Sequence, residues 1–207
     1  MRIKIALSLF LVVMLAGCYK EPAYEELSDN FTVTTNRDLE VDFGTYKTYF
    51  ISDTVPYHSG TSKDSMLPAA EAKKLVDAVK ANMSTRGYTF VPKAAKPDLG
   101  VSLGALKDTD VGVIYPGWWY GYPGWWGGGY WGGYYPYYPY SITYVITSGN
   151  VIVDIVDLKS AVPKQKLVVI WNAFIGGGLA TSTTVNIDMA IDAIDQAFVQ
   201  SKYIQSK

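Results

Sequence analysis

Apolar residues Ala72, Leu75, Val76, Val79 and Met83 fall at i, i+3, i+4, i+7 and i+11, while Lys73, Lys74, Asp77 and Lys80 occupy the intervening positions. That spacing is one stripe of an α-helix. Pro68 precedes the stripe, and its fixed φ suits a first turn. Arg86-Gly87 ends it with a cationic last turn and a glycine suited to left-handed backbone. A second stripe, Ile187, Ile191, Ile194 and Phe198, predicts a closing helix, with Asp188, Asp192 and Asp195 as its solvated face.

Between and before these helices the period changes to two. Phe31–Thr34 alternates briefly, and Asp42–Ile51 is rich in Thr and aromatics, so both are expected as strands. Leu99, Val101, Leu103 and Ala105 alternate with Gly100, Ser102 and Gly104, the pattern of a half-buried strand. Ile142–Ile146 and Val151–Leu158 flank Thr147-Ser148-Gly149-Asn150, a loop of hairpin type. Leu167–Trp171 begins a further strand. The order β-β-α-β-insert-β-β-β-α predicts an α+β fold, a two-layer sandwich with a mostly antiparallel sheet and two helices on one face.

The N-terminus has a different logic. Met1–Lys4 is basic, Ile5–Leu15 is apolar, and Leu15-Ala16-Gly17-Cys18 follows. The apolar run is shorter than the ~20 residues needed to span a bilayer, and it suits a secretory signal. The last four residues resemble the lipobox of bacterial lipoproteins, and Cys18 is the one cysteine in the chain. The resemblance implies a signal peptide over residues 1–17, acylation of Cys18 (palmitate among the chains) and a tether over 18–30 before a single domain, 31–207. Two or more acyl chains anchor stably, at about 0.8 kcal/mol per buried CH₂. Tyr19, not Asp, follows Cys18, so the inner-membrane retention signal is missing and an outer-membrane or surface location in the cell envelope is expected.

Charge changes the picture little. Loss of Arg2 and Lys4 with the signal leaves 16 basic against 19 acidic side chains. No basic stripe suggests a nucleic-acid partner.

The domain pattern itself has a likeness. Asp42–Tyr49, the helix end Arg86-Gly87-Tyr88, Pro97-Asp98-Leu99, Val151–Asp157 and Val169-Ile170-Trp171 together resemble the DUF4136 family of bacterial envelope lipoproteins. The likeness extends over residues 30 to 200. It implies the fold and the compartment but no activity, and a Gly/aromatic insertion at this place is common in that family. Lys159–Lys166 is a longer connection than the family's usual tight turn.

Candidate chemistry is sparse. His58, the single histidine, is expected in a polar loop with no patterned Ser or Asp partner, and acylation would consume the one thiol. Gly176-Gly177-Gly178 lacks the lysine and spacing of a phosphate loop. Asp154 and Asp157, three apart on a strand, point to opposite faces: Asp157 is expected to cap the strand end and Asp154 to pair with a cation. No catalytic residue, cofactor or metal is expected.

The conspicuous segment is 115–140, made of nine Tyr, five Trp, eight Gly and four Pro. Fourteen rings at about 150–250 Å² each exceed what a small core absorbs, so many should form a surface. Trp118, Trp119, Trp125, Trp126, Trp131, Tyr134 and Tyr135 are the candidate interaction residues. Three uses are open: a low-complexity loop, a lipid-interface contact, or stacking on glycan rings. The last has a weakness, because the insert carries no carboxylate or amide for sugar hydroxyls. The expected function is that of a lipid-anchored cell-envelope protein with a non-catalytic interaction or structural role, contacting membrane lipid through Cys18 and an envelope protein or glycan through 115–140. The alternative is a carbohydrate- or cell-wall-binding lipoprotein.

Overall fold

The computed structural model describes residues 32–58, 65–106, 133–141, 149–176 and 187–207. All belong to one compact unit, Phe31–Lys207. Its strands are β1 (Thr32–Arg37), β2 (Thr48–Ile51), β3 (Pro56–His58), β4 (Ser65–Met66), β5 (Thr89–Phe90), β6 (Leu99–Leu106), β7 (Pro136–Tyr137), β8 (Asn150–Asp157) and β9 (Leu167–Gly176). The helices are α1 (Ala69–Thr85), a single turn α2 (Ala161–Lys164) and α3 (Ile187–Gln200).

The nine described strands form one sheet whose main path is β1-β9-β8-β6-β2-β5, with β3 and β4 joined to it through β6 and β7 through β9. The long pairs β1/β9, β9/β8 and β8/β6 are antiparallel. The short strands β2, β3 and β7 join in parallel with β6, β6 and β9. The sheet is therefore mixed, with an antiparallel centre, and the fold is α+β.

Both long helices lie where their stripes predict. Ala72, Leu75, Val76, Val79 and Met83 of α1 and Ile187, Ala190, Ala193, Ile194, Ala197 and Phe198 of α3 are buried. They meet Leu99, Val101, Leu103, Val151, Val153, Ile155, Ile170 and Trp171 of the sheet in one core. The acidic stripe of α3 is exposed at Asp188, Asp192 and Asp195, as expected. At its edge Asp195 accepts from the Asn82 side chain of α1, and Asp188 stands 3.9 Å from Lys74.

Helix α1 ends in a Schellman motif: Tyr88 N–H donates to the Met83 carbonyl at 3.1 Å and Gly87 N–H to Ser84 at 3.0 Å. Gly87 has φ +82°, and an added Cβ would meet the Ser206 side chain at 3.4 Å. Gly87→Ala should therefore cost about 1–2 kcal/mol, read as a lower urea midpoint. A loss below about 0.3 kcal/mol would contradict the strained cap.

Three strand expectations need correction. Asp42–Ile51 is not one strand: Phe43–Thr45 is a 3₁₀ turn, and the strand begins at Thr48. The reason is Asp42, whose carboxylate accepts from Gly44 N–H at 2.9 Å and so caps the turn. His58 closes β3 instead of lying in a loop, its backbone in register with Leu106. β6 is buried at all eight positions, not on one face. Gly and Ser alternate there because the second face is closely covered, not because it meets water. The first hairpin arm, Ile142–Ile146, and Gly177-Gly178 lie outside the described residues.

Candidate functional site on the second sheet face

The described end of the aromatic segment, 133–141, is stitched to the sheet. Pro136 and Tyr137 pair with Leu167 and Val168, and Leu167 N–H donates to the Tyr135 carbonyl at 3.1 Å. This extended pairing imposes a two-residue alternation. Tyr134, Tyr138 and Tyr140 are half-buried, whereas Tyr135 and Tyr137 are exposed. Tyr135 is 75% exposed and Tyr137 46%. Lys166 holds its ammonium 4.7 Å from the Tyr137 ring centre, within cation–π range.

The inward rings rest on the sheet face away from α1 and α3. Tyr134 and Tyr138 pack on Val156, Leu158, Ala161, Leu167 and Val169. Of the residues expected to interact, Tyr135 is thus presented outward, while Tyr134 serves as a foot of the segment. Trp118, Trp119, Trp125, Trp126, Trp131 and Cys18 lie outside the described residues.

Beneath Tyr138 the sheet is polar. Its hydroxyl donates to Asp154 Oδ2 at 2.8 Å, and the Asn172 amide donates to Asp154 Oδ1. Asp154 and Asn172 are fully buried. The hydrogen bonds described for Asp154 come from a phenol and an amide. Strand register sets Asn36, Asn172, Asp154 and Ser102 side by side across β1, β9, β8 and β6. No single segment of sequence carries this row. Its one sequence signal was the small-residue alternation Gly100-x-Ser102-x-Gly104.

Asp157, as its spacing predicts, serves the opposite face. It accepts from Ser160 N–H at 2.9 Å and lies 3.7 Å from Lys164, which turns the chain into α2. Burial, and then the neighbouring Asp157, push the Tyr46 hydroxyl well above its ordinary pKa. Tyr46 thus stays neutral and acts as a donor. The longer connection over Lys159–Lys166 is α2, closed by Gln165 at φ 51°. Among the described residues no group of three or more His, Cys, Asp or Glu is placed to hold a metal. No described helix is long and apolar enough to cross a membrane.

No curated protein matches the sequence. A crystal structure of a DUF4136 family protein from Bacteroides thetaiotaomicron matches at 33% identity and TM-score 0.72, covering 86% of this chain and all of that one. More remote likenesses are to a PDZ domain protein from Parabacteroides distasonis and to the PelC dodecamer from Paraburkholderia phytofirmans. The first has 17% identity and TM-score 0.47, covering 87% of this chain and 38% of that one. The second has 11% identity and TM-score 0.42, covering 86% and 99%. The domain of unknown function DUF4136 matches residues 33–201. That span runs from β1 through α3 and takes in the sheet and both long helices, so the chain belongs to the DUF4136 family.

Proposed function

We propose that this chain is a lipid-anchored cell-envelope protein with a non-catalytic interaction role, held to the outer membrane through acylated Cys18. The observation that carries the interaction role is the outward pair Tyr135 and Tyr137, fixed on a strand paired to β9 and flanked by Lys166. Rings held by backbone pairing lose little further freedom on binding, which favours contact through them. Leu15-Ala16-Gly17-Cys18 supports the anchor.

The test uses the full-length chain in cells. Cys18→Ser should abolish fatty-acid labelling. Tyr135→Ser with Tyr137→Ser should leave the unfolding midpoint nearly unchanged, since both side chains are largely exposed, yet remove most crosslinks to envelope components. Retention of every crosslink in the double variant would refute the interaction role.

A second reading, carbohydrate binding, is favoured by one specific feature. The insert itself has no carboxylate or amide, but the fold places Asp154 and Asn172 directly at Tyr138. Rings beside such groups are the chemistry that sugar hydroxyls and sugar faces require.

A further inference from the structure

We propose that the outer edge of β1 is a dimerisation surface, on which a second copy of this chain adds its own β1 antiparallel about Thr35. β1 ends the main path of the sheet, and β9 is its neighbour among the described strands. Asp38 N–H donates to the Ile170 carbonyl at 3.0 Å. Antiparallel pairing alternates, so Asn36, Thr34 and Thr32 also turn their N–H and C=O groups to β9. Val33, Thr35 and Arg37 turn theirs outward, where no described residue meets them.

An unpaired edge is a template for another strand, and folded proteins blunt it by shortness, proline, charge or a bulge. The edges at β4 and β5 follow that rule, with two residues each and Pro92 shortly after β5. β1 does not. Its six residues, Thr-Val-Thr-Thr-Asn-Arg, keep an unbroken register with β9, include no proline and carry a charge only at the last position. Val and Thr favour extended pairing.

The edge fits itself. A two-fold through Thr35 opposes Thr35 to its own copy and Val33 to Arg37, so every outward N–H and C=O of β1 is paired. Centring on Arg37 would oppose like charges, and centring on Val33 would carry Arg37 past the end of the second β1. The helices agree with this register. α3 rests on both β1 and β9, so its axis lies about one strand spacing, ~4.8 Å, from the two-fold. The two copies of α3 then run about 10 Å apart, a distance at which helices pack.

The flank brought together is uncharged. At about 100° per residue, Ala190, Ile194 and Ala197 face the sheet, while Asp188 and Asp195 turn to Lys74 and Asn82 of α1. Met189, Gln196 and Gln200 are left for the side above β1. No like-charge pair therefore opposes the contact, which a second copy supplies with both a strand edge and a helix flank.

Sedimentation of the full-length protein in excess detergent tests this, and a dimer is expected. Thr35→Pro removes only an outward N–H, a change that edge strands tolerate. It should weaken the dimer about tenfold or more and leave the unfolding midpoint nearly unchanged. Gln196→Glu with Gln200→Glu, both at exposed positions, sets like charges along the α3 seam and should weaken it similarly. This pair repeats the test should Thr35→Pro fold poorly. Disulfide trapping reads the register. Thr35→Cys places two thiol-bearing residues about 5.5 Å apart between Cα atoms and should give a covalent dimer. Thr34→Cys places them about 8–9 Å apart, beyond disulfide reach, and should not. The unsubstituted chain, with Cys18 its one cysteine, is the blank. A monomeric parent would leave the edge to a strand of some other protein and overturn the proposal. So would an undiminished dimer in both the proline and the glutamate variants, or trapping through Thr34→Cys as efficient as through Thr35→Cys. None of these results depends on the envelope crosslinks at Tyr135 and Tyr137, which report on the interaction role separately.

Discussion

Trp171→Ala should lower the unfolding free energy by about 3–5 kcal/mol, the range for deleting a large aromatic from a packed core. Trp171 is fully buried and is the largest such side chain in the described structure. Its ring centre lies 5.2 Å from Phe198 of α3, and its indole N–H donates to Ser201 Oγ at 2.9 Å. Ser201 also accepts from the Tyr203 hydroxyl at 3.2 Å, and Arg37 of β1 stacks 3.9 Å over the Tyr203 ring. One side chain therefore ties the sheet, the last helix and the C-terminal segment together. The alanine variant leaves a cavity beside Phe198 and removes one hydrogen-bond donor to Ser201. Trp171→Phe should cost less, because it retains most of the volume and loses chiefly the N–H. Urea unfolding followed by far-ultraviolet circular dichroism measures both. A loss under about 1 kcal/mol for the alanine variant would show that the C-terminal segment is held by something other than this residue.

The position of Trp171 depends on a β-bulge. β8 residues Ile155 and Val156 pair with Trp171 and Val169, so Ile170 is the extra residue. The bulge turns Ile170 and Trp171, consecutive in sequence, into the same core. Alternation in the sequence would have placed one of them on the other face. This is a case in which the period of two identifies a strand but not which of its residues reach the helices.

Asp98→Ala should be the second costly change, at about 2–4 kcal/mol, given ~1.5–3 kcal/mol for each hydrogen bond to a charged group. Its carboxylate Oδ2 accepts from Lys47 N–H at 2.7 Å and from Thr48 N–H at 3.2 Å. In return, the Thr48 hydroxyl accepts from Asp98 N–H at 3.0 Å. These bonds join the starts of β2 and β6, which run parallel and so lack a hairpin to set their register. The Asp98 carbonyl also receives Leu158 N–H at 2.9 Å and Lys159 N–H at 3.0 Å. A change of side chain leaves these in place only if the backbone stays put. Asp98→Asn should lose less, because the amide oxygen still accepts but without charge. If Asp98→Ala and Asp98→Asn prove equally stable, the carboxylate is not what sets this corner. The Pro97-Asp98-Leu99 element of the family pattern thus has a structural explanation, independent of any ligand.

What was legible in the sequence follows from what each signal needs. Amphipathic stripes are local, and both long helices and their buried faces were readable from residue spacing alone. The split between Asp154 and Asp157 needed only the two-residue period of a strand, and it holds: one serves the second face, the other caps the strand end. The start of β2 was misread because the capping of a turn by Asp42 outweighs the strand preference of Phe43 and Thr45. The glycines of β6 were read as a solvated face because small residues look alike whether they face water or a close neighbour.

The amino-acid sequence by itself determined the α+β class, the two helix faces and the place of the aromatic insert. Each rests on neighbours within a turn, a strand or a single segment. Only the tertiary structure decided which aromatic side chains face outward, because pairing of Pro136 and Tyr137 with β9 sets that alternation. Only it brought Asn36, Asn172, Asp154 and Ser102 into one row beneath Tyr138. Register between strands distant in sequence depends on hydrogen bonds and packing summed over the whole sheet, and no local pattern encodes it.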